Sequence, residues 1–521
     1  MSLTTTIDRL FAQYNRPDSP GAAVAVTRHG QIIHEACYGM ADLAYAIPLD
    51  RHSLIRIGSQ SKQFTVLLAL LLEAEGKLDM NAEVHTYLPW LPPYPHPITL
   101  WHLATNTSGL RDFLEMMVWN GLPLHASSDR QLARDIIANY PEVNYTPGNQ
   151  MLYSNTGFFL LSEIVEQISG QSFNDLLHTR ITARAGMPDT LLIPRDAEIH
   201  PRLVAQHQQG PTGWETVRWG FPLGGEGGMA STLADMLTWQ ATLANPPADW
   251  APHLACMTAP LHYTNGTETH YRAGLIVEPY RGTTTIGHGG GVAGGKSESI
   301  RFPDHGLGIV ILGNLAEMNP FALARRIADA ALAAELTPLP ATAPFANATG
   351  LYREHANGHP TGEIFTLTTR NNAPLFTTPG GSTSLTEIAP AHFAPAHFAP
   401  ERPTHHFDFA LHPDGTIAAT FCGTPTTYRP VTPPIAPPPD LSGPYTNRTL
   451  GLDLRIEADT MLLRSNIGTL RARLSWADSD LLLVLPANPS DPRPFLATLQ
   501  TGAHGLTLTT DRTKSLLFRR A

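Results

Sequence analysis

Helix-like periodicity runs through this chain as far as Leu336 and then stops. Before that point apolar residues recur at the spacing of buried helix faces over residues 62–75, 129–139, 157–169, 232–243 and 320–335. Beyond it Pro338, Pro340 and Pro344 crowd together, and the rest alternates apolar residues with Thr, Gly and Pro in short strand-like runs. Such a change of period requires two kinds of domain rather than one uniform bundle or sandwich. At 521 residues the chain is also well beyond the roughly 100–200 that one core usually organises.

In the first part, residues 22–27 (AAVAVT), the turn His29-Gly30 and residues 31–38 (QIIHEACY) read as a β-hairpin. Residues 309–312 form a short buried-strand run after the turn Asp304-His305-Gly306. Strands at both ends with helices between them predict an α+β domain over residues 1–336, in which helices cover one antiparallel sheet assembled from distant segments. Later strand candidates are 363–369, 406–411, 416–421, 452–456, 481–485 and 507–510. A second Pro-rich stretch, 430–439, divides them, and Gly350-Leu351-Tyr352 recurs as Gly443-Pro444-Tyr445, 93 residues later. Two small antiparallel β-barrels are expected, over residues 345–432 and 440–521.

Composition excludes several classes of function. The net charge is −10 with no long basic run, so nucleic acid is not an expected partner. Cys37, Cys256 and Cys422 are far apart and odd in number, which fits a reducing compartment. Residues 1–16 carry Asp8 and no apolar core after a basic start, so a cytoplasmic location is expected. The longest apolar run, 66–72 (VLLALLL), is far short of the ~20 residues that span a bilayer, and reads as a buried helix. A pentapeptide duplicated over 389–398 puts His392, His397, His405 and His406 close together. Its prolines keep it extended and no acid accompanies it at ligand spacing, so it reads as a surface loop rather than a metal site.

Three segments carry chemistry. Ser59-Gln60-Ser61-Lys62 stands between a strand-like run at 54–57 and the apolar helix. Helix positions three apart share a face, so Lys62 is expected beside Ser59 at a helix amino terminus, where backbone N–H groups favour a developing oxyanion. A serine hydroxyl needs a neighbour to take its proton, and a lysine whose pKa is lowered by burial or a second cation is suited to do so. Tyr153-Ser154-Asn155 supplies a phenol that can carry a proton and an amide that can both donate and accept. Gly287-His288-Gly289-Gly290-Gly291 follows a β-branched run, and consecutive glycines leave a strand edge open to an incoming backbone.

In the order S-x-x-K, Y-x-N, H-x-G, over roughly residues 5–335, these segments resemble the serine β-lactamase and penicillin-binding protein superfamily in its class C-like branch. Residues 103–110 (LATNTSGL), Pro147-Gly148 and 224–236 (GGEGGMASTLADM) look like that branch as well. The third motif usually begins with lysine in the family. Here it begins with His288, as in the family's esterase and aminopeptidase members. The whole plan is similar to that of the bacterial D-aminopeptidases. The resemblance implies a β-lactamase-like catalytic domain and an acyl-enzyme at Ser59, with Lys62 and Tyr153 moving protons. It further implies that Asn155, His288, Gly290 and Gly291 hold a small peptide or amino-acid amide, with the N–H groups of Ser59 and Gly291 on the oxyanion. A homodimer is expected, and no metal or organic cofactor. A loop of the last barrel would offer an acid to the substrate ammonium: Asp491 in 487–494, or else Asp480 in the turn 477–480. The rival readings are a broad esterase or D,D-peptidase of the same fold, and a silent binding protein.

Overall fold

The computed structural model describes residues 2–338, 349–356, 358–370, 373–379, 381–389, 392–395, 407–431, 440–487 and 496–521. The first part of the chain is built on a six-stranded antiparallel sheet. Its strands are β1 (Ala22–Arg28), β2 (Gln31–Tyr38), β3 (Ile276–Tyr280), β4 (Thr283–Val292), β5 (Gly295–Phe302) and β6 (Leu307–Gly313), in the spatial order β3-β4-β5-β6-β1-β2. The expected hairpin forms, with His29 and Gly30 at positive φ in its turn. β1 then pairs with β6, Val24 opposite Ile311, so the two ends of the domain close the sheet.

Helix α1 (Leu3–Phe11) and helix α6 (Pro320–Ala331) contact each other. They lie against one side of the sheet, sharing an apolar cluster with Val24, Ile309 and Ile311. The other side meets the main core. There α2 (Ser61–Ala74) buries Phe64, Val66, Leu67, Leu68, Ala69, Leu70 and Leu72, a helix apolar nearly all round because protein surrounds it. It packs on α4 (Asn155–Ser169), while α5 (Leu233–Ala244) lies against β1, β5 and β6. No helix among the described residues is long and apolar enough to cross a membrane.

Two helix ends depart from expectation. α4 starts two residues before the expected Gly157, because Ser154 caps it by accepting from the Thr156 N–H, which puts Asn155 in its first turn. α6 stops at Ala331 instead of residue 335; the chain turns at Leu332, and Glu335 meets Arg28 and His305.

Behind this domain stand two closed eight-stranded barrels, opening at Gly350–Ala356 and Gly443–Asn447, the two places where the repeated tripeptide begins. The first keeps its own small core of Tyr352, Phe365, Leu367, Phe376, Ile417, Ala419 and Tyr428. The second is docked so closely that Leu452, Leu463, Leu499 and Phe518 belong to the same apolar cluster as α2 and α4. A Cβ on Gly121 would lie 2.2 Å from the Thr469 nitrogen, so glycine lets this barrel's backbone approach that of the α+β domain. Of the duplicated His segment, residues 392–395 form a strand and 396–406 lie outside the described residues. Among the described residues no cluster of three or more His, Cys, Asp and Glu is arranged to hold a metal.

Candidate active site

Ser59 sits in a single 3₁₀ turn, Gly58–Gln60, that runs directly into α2, and it is partly exposed. The rest of the motif locks this turn in place. Ser61 Oγ donates to the Gly58 carbonyl (2.6 Å) and accepts from the Met229 N–H (3.1 Å). Gln63 accepts from the Trp239 indole (2.8 Å), and Thr65 donates to the Gly225 carbonyl (2.8 Å). Only Lys62, fully buried, turns toward the serine. Its Nζ lies 3.1 Å from Ser59 Oγ, 2.9 Å from Asn155 Oδ1 and 2.5 Å from the Glu226 carbonyl oxygen. Burial brings its pKa down to about 7, against the pull of the Glu226 and Asp112 charges and with the help of Arg512. A large neutral fraction at ordinary pH follows, and neutral Nζ can accept the proton of Ser59.

Tyr153 is buried edge-on against Tyr271, ring centroids 5.8 Å apart. Lys62 Nζ lies 4.9 Å from its ring centroid. Asn155, expected to orient substrate, makes bonds within the protein. Its amide oxygen takes the Lys62 hydrogen bond, and its Nδ2 donates to Asp112 Oδ2 (2.9 Å), which also takes the Asn155 backbone N–H (2.6 Å). The structure thus uses this amide to aim the lysine.

His288 is also redirected. It is 1% exposed, its Nδ1–H donates to the Gly289 carbonyl (2.6 Å), and Nε2 is left to accept from the Tyr271 hydroxyl (3.3 Å). Burial and the nearby Lys62 push its pKa down to about 3, so it is uncharged and its contacts lie within the protein. The glycines beside it have a steric reason. A Cβ on Gly290 would stand 1.8 Å from the Ile57 carbonyl oxygen, and one on Gly58, which has φ +56, would stand 2.5 Å from the Gly291 nitrogen. β4 therefore passes directly against the serine turn, bringing the Gly291 amide close to it. β3 pairs with β4 only as far as Gly287, and from His288 to Val292 β4 continues its ladder with β5. That half-open edge can take a substrate backbone as an added strand.

Among the described residues, a turn of the last barrel other than 487–494 reaches the site. Asp491 lies outside the described residues. Asp480 is engaged by the Arg353 guanidinium at both carboxylate oxygens (2.5 and 3.0 Å), at the junction of the two barrels, which holds its pKa down. Both of its carboxylate oxygens are thus paired within the protein. What touches the catalytic group is the turn between barrel strands Gly505–Thr509 and Leu516–Arg520, whose Arg512 lies against Asp112 (3.3 Å) and the Tyr153 ring (5.2 Å). Reading the sequence missed Arg512, Tyr271 and the Glu226 carbonyl. Only Glu226 had a signal, its place in the glycine-rich stretch 224–236.

A family model described as Beta-lactamase matches residues 7–334. The D-aminopeptidase of Cereibacter sphaeroides (strain ATCC 17023) is 29% identical over 317 residues, 61% of this chain and 60% of that one. The D-aminopeptidase of Gluconobacter oxydans (strain 621H) is 28% identical over 339 residues, 65% and 64% of the two chains. The chain therefore spans less than two thirds of the length of these curated relatives. Among solved structures, the octameric penicillin-binding protein homologue from Pyrococcus abyssi is similar in fold, with a TM-score of 0.57 at 19% identity, covering 82% of this chain and 100% of that one.

Proposed function

The chain belongs to the beta-lactamase family, and on that premise we propose that it is a serine hydrolase that forms an acyl-enzyme at Ser59 and releases amino-terminal D-residues from small peptides, amides or esters. The observation that carries the chemistry is the contact of a buried Lys62, its pKa near 7, with Ser59 Oγ. Neutral Lys62 takes the hydroxyl proton as Oγ attacks the carbonyl carbon, and the N–H groups of Ser59 and Gly291 hold the oxyanion. The departing amine takes its proton from Tyr153 as the tetrahedral intermediate collapses. A water that gives its proton to the same Tyr153 and Lys62 pair then attacks the ester, and Ser59 leaves with a proton. The D-aminopeptidase names of the relatives support the substrate part of this reading.

The experiment is a panel of D- and L-aminoacyl p-nitroanilides, each with a free and an acetylated amino group. Turnover confined to free D-substrates is expected. Equal turnover of acetylated substrates would replace the aminopeptidase reading with the broad esterase or D,D-peptidase one, and no turnover together with no fluorophosphonate adduct at Ser59 would leave a binding protein.

The lysine makes a prediction about pH. Because neutral Lys62 is the base in the free enzyme, kcat/KM should rise as pH passes upward through about 7 and then level off. A profile flat across neutral pH would take the role of base away from Lys62.

A further inference from the structure

The turn that carries Arg512 is fastened to the catalytic domain from both sides. Thr510 Oγ1 and the Arg512 N–H donate to the Glu115 carboxylate on α3 (Phe113–Trp119), at 2.6 and 3.1 Å. Asn144 donates to the Arg512 carbonyl and accepts from the Lys514 N–H, both at 2.9 Å. Held in this way, the guanidinium reaches Asp112 Oδ2, the atom that already accepts both bonds from Asn155. A continuous series of contacts results: Arg512, Asp112, Asn155, Lys62, Ser59. Asp112 is fully buried. An anion there without a countercharge is costly, and its field would hold the proton on Lys62. His288, the titratable group that β4 brings near the Tyr153 ring, is uncharged, so the cations against that ring are Lys62 and Arg512.

We propose that Arg512 of the last barrel is a positioning residue for acyl transfer, which neutralises Asp112 so that Asn155 holds Lys62 aligned on Ser59, and which lends Tyr153 its second cation. The barrel thereby completes the catalytic group and is more than a wall beside it. This rests on the acyl-transfer reading of Ser59 and Lys62. The groups facing Arg512 are Asp112 and Glu115 from the catalytic domain, Asp511 from its own turn, and the Tyr153 phenol; burial raises the Glu115 pKa to about 7, so it titrates in the same range as Lys62. Those facing Lys62 are Glu226, Asp112, Arg512 and the Tyr153 phenol, with His288 nearby. Glu226 and Asp112 favour the charged lysine and Arg512 opposes it, so loss of Arg512 pushes Lys62 toward its protonated form.

The test is the rate at which a fluorophosphonate labels Ser59, followed by mass spectrometry from weakly acidic to alkaline pH, on the full-length wild type, Arg512→Gln, Arg512→Met and Arg512→Lys. Wild-type labelling should rise through a limb near pH 7. In the Gln and Met variants that limb should move up by about one pH unit, which is about tenfold slower labelling below it, and the Lys variant should recover most of the shift. Thermal unfolding identifies a variant that no longer folds, and Met keeps the packed stem if Gln does not. A limb left in place in a folded variant, with the rate unchanged or lowered equally at every pH, would overturn the proposal and leave Arg512 a docking contact. An unlabelled wild type would refute the acyl-transfer reading itself, before any variant is compared.

Discussion

Ser59→Ala is expected to lower kcat by at least about 10⁴-fold while leaving the melting temperature nearly unchanged, because the hydroxyl is asked for covalent chemistry and contributes little packing. Lys62→Ala should cost about as much in rate, since the two act as one proton-transfer unit: Lys62 Nζ is 3.1 Å from Ser59 Oγ. The double variant should therefore be no worse than either single one. A double variant slower by the product of the two losses would mean that lysine and serine act independently. Ser59→Ala retaining more than a few per cent of wild-type turnover would place the nucleophile elsewhere.

Gly290→Ala should cost about 3 kcal/mol of stability and most of the activity. The added methyl would meet the Ile57 carbonyl oxygen at 1.8 Å and Ser297 Oγ at 2.6 Å. The first is backbone and cannot swing aside, so β4 must move away from the serine turn, taking the Gly291 amide with it. Gly502→Ala is the matching control, because the nearest atom to its Cβ is 3.9 Å away and no positive φ is involved; it should change stability by no more than about 0.5 kcal/mol. Thermal unfolding and fluorophosphonate labelling of Ser59 measure both effects. A Gly290→Ala protein as stable and reactive as the wild type would mean that β4 and the serine turn have slack between them.

Both predictions concern motifs that stand out in the sequence, and the reason is local. Ser59 and Lys62 meet because they are three residues apart at the start of a helix, and the sheet strands are visible because apolar runs and turn residues alternate over short spans. The two barrels were visible as a loss of helical period, two Pro-rich joints and a repeated tripeptide. Where local signals competed, the boundary moved by a few residues: Ser154 capped α4 earlier than its apolar face begins.

The roles of Asn155 and His288 were not legible, although both residues were singled out. An asparagine amide is equally fit for substrate or protein partners, and only the fold shows that Lys62 and Asp112 occupy its two ends. A histidine is a charge or a neutral acceptor according to its burial, which no neighbour in sequence reveals. The barrel turn shows the same limit at longer range. Asp511-Arg512-Thr513-Lys514 reads locally as a solvated charged turn, and nothing near it distinguishes it from the acidic turn at 477–480.

What the sequence alone determined, then, is the meeting of Ser59 and Lys62, the order of the three motifs, and the division into one α+β domain and two β-domains, all of them consequences of spacing within a helix turn, a strand or a linker. What only the tertiary structure decided is that the turn carrying Arg512 meets Asp112 and the Tyr153 ring, and what charge it brings there. Arg512 meets Asp112 across 400 residues of chain, and such a contact depends on how a closed barrel docks as a body, through an apolar interface and glycine-lined backbone contacts that leave no periodic trace in the sequence.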